Sequence, residues 1–223
     1  MGKACIIGME FSTEIEVVAD ALTDMGFEVI EAFRGDFALV DSLKRVDLTI
    51  HLGSDWSLVG RSIQKQVRPE FDLIYSRVQS GFPVFGICYG AQLLARVLGG
   101  QNYRCEQPEI GWIDILPEAG YEYFGGRWLE WHYDGFVVPH DVKITAINAT
   151  GVQGVLGTRF AGVQFHPEAN SRILQNWLES GGLKELESQG IDAECLYTDS
   201  GLSDEETQQR FRDFLVQVLN GIL

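Results

Sequence analysis

A chain of 223 residues, 45% of them hydrophobic, has enough apolar material for one α/β domain with a sizeable core. Its 32 Asp and Glu against 17 Lys and Arg give a formal net charge of -15, and no stretch concentrates basic residues as a phosphate-binding surface would, which excludes nucleic acid as an expected direct partner. The longest apolar runs are strand-sized, far below the roughly 20 residues of a spanning helix, so no membrane association is expected.

The N-terminal MGKACIIGMEF reaches an acidic residue after a short apolar run, unlike a secretory signal, and the C-terminal LNGIL is not a prenylation box. The expected location is cytoplasmic. KACIIG reads as a first strand and STEIEVVADALTDMG as a helix that starts after Ser12 and closes at Gly26. FEVIEAF, a polar helix-like stretch and DLTIHLG follow, the rhythm of βαβ units around a parallel, buried sheet. A helix with Pro69 in its first turn runs to Val78, and the apolar run FPVFGI leads to Cys88. AQLLARVLGG is then an apolar helix closed by two glycines.

Beyond it the pattern changes. GWIDILP, RWLEWHYDGFVVP, ITAINATGVQGVLG and FAGVQFHPE read as strands separated by turns, either a mixed sheet or an antiparallel subsheet. A helix from Ser171 to about Ser180, a polar linker rich in Gly and Ser, and a final helix starting near Asp204 complete the chain. The expected fold is α/β, a three-layer sandwich around a mainly parallel sheet with a small antiparallel subsheet. It comprises one domain over 1–223, whose residues 181–223 form an extension ending in a helix packed on that domain.

Cys5, Cys88, Cys105 and Cys195 form neither a CxxC pair nor a metal-ligand spacing, and no metal or organic cofactor is expected. Cys5 reads as a core residue, whereas Cys105 and Cys195 lie in polar, loop-like surroundings. Cys88 differs in kind, because Gly86-Ile87-Cys88-Tyr89-Gly90 follows a strand and opens a helix, the setting of a nucleophile elbow. The flanking glycines allow a sharp turn, and a helix N-terminus supplies N–H donors and a partial positive charge that favour a thiolate. In Gln164-Phe165-His166-Pro167-Glu168 the imidazole and the carboxylate are two positions apart, on one side of an extended chain, so Glu168 is placed to orient His166. His51 reads as a hydrogen-bonded core histidine and His140 as a turn residue.

These two motifs resemble the class I (triad-type) glutamine amidotransferases, particularly those similar to the glutaminase domain of GMP synthase. His51-Leu52-Gly53-Ser54-Asp55-Trp56-Ser57, Glu109-Ile110-Gly111-Trp112 and Trp131-His132-Tyr133-Asp134 fit the same pattern, so the likeness spans about residues 1–180. It implies a flavodoxin-like core and a Cys88, His166, Glu168 triad that releases or transfers the amide nitrogen of glutamine through a γ-glutamyl thioester. It implies an oxyanion hole from Tyr89 and from the loop Gly53-Ser54, where many relatives carry Gly-Gly-Pro instead of Gly53-Ser54-Asp55. Gln92 resembles a residue that contacts the substrate glutamine, and His132 and Tyr133 lie in the segment resembling the substrate-lining loop. The nitrogen acceptor is either a separate synthetase subunit or a small amine, since the roughly 45 residues after the likeness are too few for an ATP-using synthetase domain. A γ-glutamyl peptidase with the same triad is the alternative, and a non-catalytic regulatory subunit a third reading.

Overall fold

In this computed structural model residues 2–10, 12–35, 43, 46–60 and 63–223 are described. The first half is built of β1 (Lys3–Gly8), α1 (Thr13–Asp24), β2 (Glu28–Phe33), β3 (Leu48–His51), α2 (Arg68–Gln79), β4 (Val84–Ile87) and α3 (Tyr89–Val97). Ala4 and Ile6 of β1 pack with Ile15, Val18 and Leu22 of α1, whereas Cys5 and Ile7 meet Ala32 and Leu73 on the opposite face. Side-chain alternation thus buries both faces of the strand, which is why it reads as an unbroken apolar run. Ser12 precedes α1 as expected, but its hydroxyl donates to Glu14 at 2.8 Å and makes no cap to the helix backbone. Gly26 does close the helix, in the left-handed region at φ 87°. The polar helix-like stretch expected before β3 lies largely outside the described residues.

The second half adds β5 (Gln101–Pro117), β6 (Gly126–Val137), β7 (Lys143–Asn148), β8 (Gly151–Leu156) and β9 (Phe160–Val163). The nine strands among the described residues join one sheet in the order β2-β1-β3-β4-β9-β8-β7-β5-β6. The run from β2 to β9 is parallel, and β8, β7, β5 and β6 continue it as an antiparallel arm. Helices cover both faces: α1 on one, α2 and α3 on the other, where Ile74, Leu93 and Leu94 pack with Val84. β5 starts earlier than GWIDILP and includes Cys105, a residue expected in a loop. Its ladder with β6 slips between Arg104 and Glu109, and such a bulge breaks the alternation by which a strand is recognised.

The linker expected between Ser180 and Asp204 is instead largely helical. After α4 (Ser171–Trp177) come a π-helical turn at Leu178–Gly182, α5 (Leu183–Gln189) and α6 (Ala193–Thr198). Leu178, Leu186 and Leu196 are buried with Leu129, Ala169 and Leu174. Single leucines in an acidic, Gly-rich and Ser-rich background carry too little periodicity to mark helices this short. The final helix, α7 (Asp204–Ile222), opens with a capping box between Ser203 and Glu206. No helix among the described residues is long and apolar enough to cross a membrane.

α7 contributes Phe211, Phe214, Leu215, Val218, Leu219 and Ile222 to the same core as β1, β3 and β4. The Phe214 ring lies 5.4 Å from Trp128, 5.5 Å from Phe124 and 5.8 Å from Phe165, centroid to centroid. Phe214→Ala should therefore lower stability by about 3–5 kcal/mol, a core-cavity penalty, read from urea unfolding monitored by circular dichroism. A loss below about 1 kcal/mol would show the helix to be peripheral.

Candidate active site

Cys88 joins β4 to α3 with φ 51° and ψ -109°, and among the described residues no other non-glycine has positive φ. The reason lies in close packing around it. A Cβ on Gly90 would stand 1.9 Å from the His51 carbonyl oxygen, and one on Gly86 would stand 2.5 Å from the Gly90 carbonyl carbon. Both glycines are needed for approach, not for unusual backbone angles, so the strain falls on the cysteine itself. The Cys88 N–H donates to the Val163 carbonyl at 2.7 Å, fixing the turn to the end of β9.

β9 then carries the chain directly to the imidazole. His166 N–H donates to the Leu129 carbonyl at 2.8 Å, which docks the segment on β6. His166 Nδ1 lies 2.8 Å from Glu168 Oε1, and both side chains are buried. The ring is also in side-chain contact with Cys88 and meets Trp177 edge-on at 4.8 Å. Burial works against a charged ring, but the neighbouring Glu168 carboxylate and Cys88 outweigh it and hold His166 well above the usual histidine range. Gly53 closes the other side, where an added Cβ would meet His166 Cε1 at 2.9 Å and Cys88 Cβ at 3.8 Å. Cys88, His166, Glu168, Gly53 and the Tyr89 backbone are therefore brought together as their motifs suggest. Gln164 completes the group, since its Nε2 donates to Cys88 Sγ at 3.5 Å.

The loop after β3 rests on a residue that the sequence reading missed. Arg34, at the end of β2, donates from Nη1 to the Gly53 carbonyl at 2.8 Å and from Nη2 to the Leu52 carbonyl at 2.9 Å. In a trans peptide the N–H points opposite to the C=O, so the N–H groups of Gly53 and Ser54 face away from the guanidinium. Arg34 is held in turn by Glu70 at 2.8 Å and stacks 4.3 Å over the Tyr89 ring. His51 Nδ1 lies 2.8 Å from Glu70 Oε1 and its Nε2 3.2 Å from Thr49 Oγ1, the satisfied core histidine expected. One guanidinium thus ties the loop to the residue that follows Cys88. Burial alone would raise the Glu70 carboxyl, but Arg34 and His51 pull it from the ordinary value of 4.5 down to about 2. A depressed carboxyl contributes stability that is complete above its unfolded pKa and is lost as pH falls through the folded one. Acid unfolding should therefore steepen between pH 4.5 and about 2, and Glu70→Gln should flatten that interval in thermal melts.

The remaining candidates sit elsewhere. Gln92 is buried, its Nε2 bound to the Asp134 carbonyl at 2.8 Å and to Gln164 Oε1 at 3.2 Å, so it backs the residue that touches Cys88. His132 lies on β6, its Nε2 3.0 Å from Glu109 and 3.2 Å from Glu130. Tyr133 points to the other face of that strand, beneath Arg104 at 5.6 Å and beside Glu185. His140 is an exposed turn residue, and Cys5 is buried, its thiol pushed up to about 12 by desolvation. Cys195 is on α6 rather than in a loop.

Comparisons with known proteins identify the family. The family described as glutamine amidotransferase class-I matches residues 60–183, more than half of the chain. GMP synthase [glutamine-hydrolyzing] from Aeropyrum pernix is 37% identical over 118 residues, covering 47% of this chain and 23% of that protein. The enzyme of the same description from Clostridium acetobutylicum is 32% identical over 157 residues, covering 64% of this chain and 29% of that protein. The chain thus spans about a quarter of the length of these curated relatives. In fold it is similar to a glutamine amidotransferase from Thermotoga maritima (TM-score 0.81, 24% identity, 98% of both chains). A glutamine amido transferase from Methylobacillus flagellatus superposes with TM-score 0.78 at 18% identity, over 100% of this chain and 96% of that one. The chain belongs to the class I glutamine amidotransferases.

Proposed function

We propose that Cys88, His166 and Glu168 are a catalytic triad that removes the amide nitrogen of glutamine through a γ-glutamyl thioester. The observation that carries this reading is the strained backbone of Cys88, set in contact with an imidazole whose far nitrogen is fixed by a carboxylate at 2.8 Å. Strain of this kind persists where the surrounding structure enforces it, and it clusters at reactive positions. Glu168 selects the tautomer and stabilises the imidazolium. The Cys88 thiolate attacks the carboxamide carbon, and His166 delivers a proton to the departing ammonia. Water activated by the same ring then hydrolyses the thioester to glutamate.

The developing oxyanion is received by the N–H of Tyr89, in the first turn of α3 where no intrahelical partner exists, and by those of Gly53 and Ser54. Arg34 positions this second set of donors by holding the carbonyls on the far side. Gln164 donates toward the sulfur, with Gln92 behind it. Ammonia passes either to a synthetase activity or to a small amine that enters the site. The whole of 1–223 acts as one domain, residues 181–223 being an extension that completes its core. No organic cofactor takes part in this chemistry, and the cytoplasm is its proposed setting.

Glutaminase assays on substituted chains test the assignment. Cys88→Ala and His166→Ala should remove activity to background, while Glu168→Gln retains a fraction because the ring is mispositioned but present. Arg34→Lys should lower kcat about 10²-fold with KM nearly unchanged, since it keeps the charge but loses the fork that aligns the loop. Activity surviving in Cys88→Ala would exclude the nucleophile. In parallel, a γ-glutamyl dipeptide preferred over glutamine by roughly 100-fold in kcat/KM would replace the amidotransferase by a γ-glutamyl peptidase.

A further inference from the structure

Away from the triad, the hairpin of β5 and β6 buries a second cluster. Glu130 and His132 are two residues apart on β6 and share a face, and Glu109 opposes His132 across the ladder. The three are 0%, 4% and 7% exposed in the order Glu130, His132, Glu109. His132 Nε2 is 3.0 Å from Glu109 Oε2 and 3.2 Å from Glu130 Oε2, and one donor atom of each residue lies within 4.8 Å of the others. Neither oxygen of Glu130 and neither ring nitrogen of His132 has a partner in hydrogen-bonding geometry. Cys105, delivered by the bulge in β5, lies beside the ring.

We propose that Glu109, Glu130 and His132 bind a divalent ion of the zinc type. Donor atoms about 2.1 Å from such an ion stand roughly 3.0–3.4 Å apart along the edges of its polyhedron, which the two nitrogen-to-oxygen separations match. Two carboxylates facing one imidazole leave excess negative charge in a dry interior, a cost that a cation removes. Desolvation accordingly pushes the Glu130 carboxyl above its usual range. The outer shell is in place as well: Glu109 accepts hydrogen bonds from Asn148 at 2.8 Å, Thr150 at 2.6 Å and Gln153 at 3.2 Å, fixing its oxygens as ligating carboxylates are fixed. An imidazole donor beside two carboxylates favours zinc over magnesium or calcium. The ion would clamp β5 to β6 one residue from Leu129, whose carbonyl seats His166.

The test uses the full chain as Cys88→Ala, so that metal held by the triad thiol cannot count. After chelator treatment, zinc titrated against a chromogenic competitor should bind at one equivalent per chain and raise the melting temperature. Glu130→Gln, Glu109→Gln and His132→Ala should each weaken it at least about tenfold, the loss that even an outer-shell partner causes. Cobalt serves as a second readout that needs no folded Glu variant. Cobalt ligand-field bands in the parent that are stronger than those of the hydrated ion support the site. No stoichiometric zinc in the parent, zinc whose affinity none of the three substitutions changes, or a cobalt spectrum of the free hydrated ion would overturn it.

Discussion

The first turn of α3 lies so close to the end of β3 that only glycine fits at position 90, where a Cβ would stand 1.9 Å from the His51 carbonyl oxygen. The rest of the site follows from that contact. With helix and strand this near, the connection between β4 and α3 is reduced to one residue, and Cys88 takes up the turn at φ 51°. A backbone in that region costs about 1–3 kcal/mol, which the parallel sheet on either side offsets through burial. The same closeness brings Gly53, two residues beyond His51, against both Cys88 and His166. The Cys88 turn, its contact with His166 and the placing of the Gly53 loop are thus consequences of one packing constraint.

Electrostatics then decide which groups can sit in so dry a space. Arg34 and Glu70 are both buried, and desolvating such a pair is repaid only when the geometry and the extra hydrogen bonds are good. Here the guanidinium also satisfies two loop carbonyls and covers the Tyr89 ring. An apolar pair of the same volume could serve stability as well. It could not hold the Leu52 and Gly53 carbonyls on one side. The network is therefore better understood as alignment of the loop than as reinforcement of the core.

What was legible in the sequence was what is contiguous. The Gly86–Gly90 turn and the His166-Pro167-Glu168 triplet each lie within a few residues, and their strand and helix flanks are strongly patterned. Arg34 was not legible because its partners are 19 and 36 residues away and it follows an ordinary alternating strand. The Glu109, Glu130 and His132 cluster escaped for a related reason: it depends on a hairpin register that slips between Arg104 and Glu109. α5 and α6 were read as linker because each presents a single buried leucine, too little for a helical period to emerge. Gln92 was visible as a candidate, but only the fold shows its amide turned toward Gln164.

The central claim is that the Cys88 sulfur forms a covalent γ-glutamyl intermediate. The most direct measurement mixes the chain with glutamine for a short interval, quenches in acid and maps the adduct by peptide mass spectrometry. A γ-glutamyl adduct on the peptide containing Cys88, removed by hydroxylamine and missing in Glu168→Gln at the same early time, is the predicted result. Release of ammonia with no adduct on Cys88 at any quench time, or an adduct on Cys105 or Cys195 instead, would contradict it.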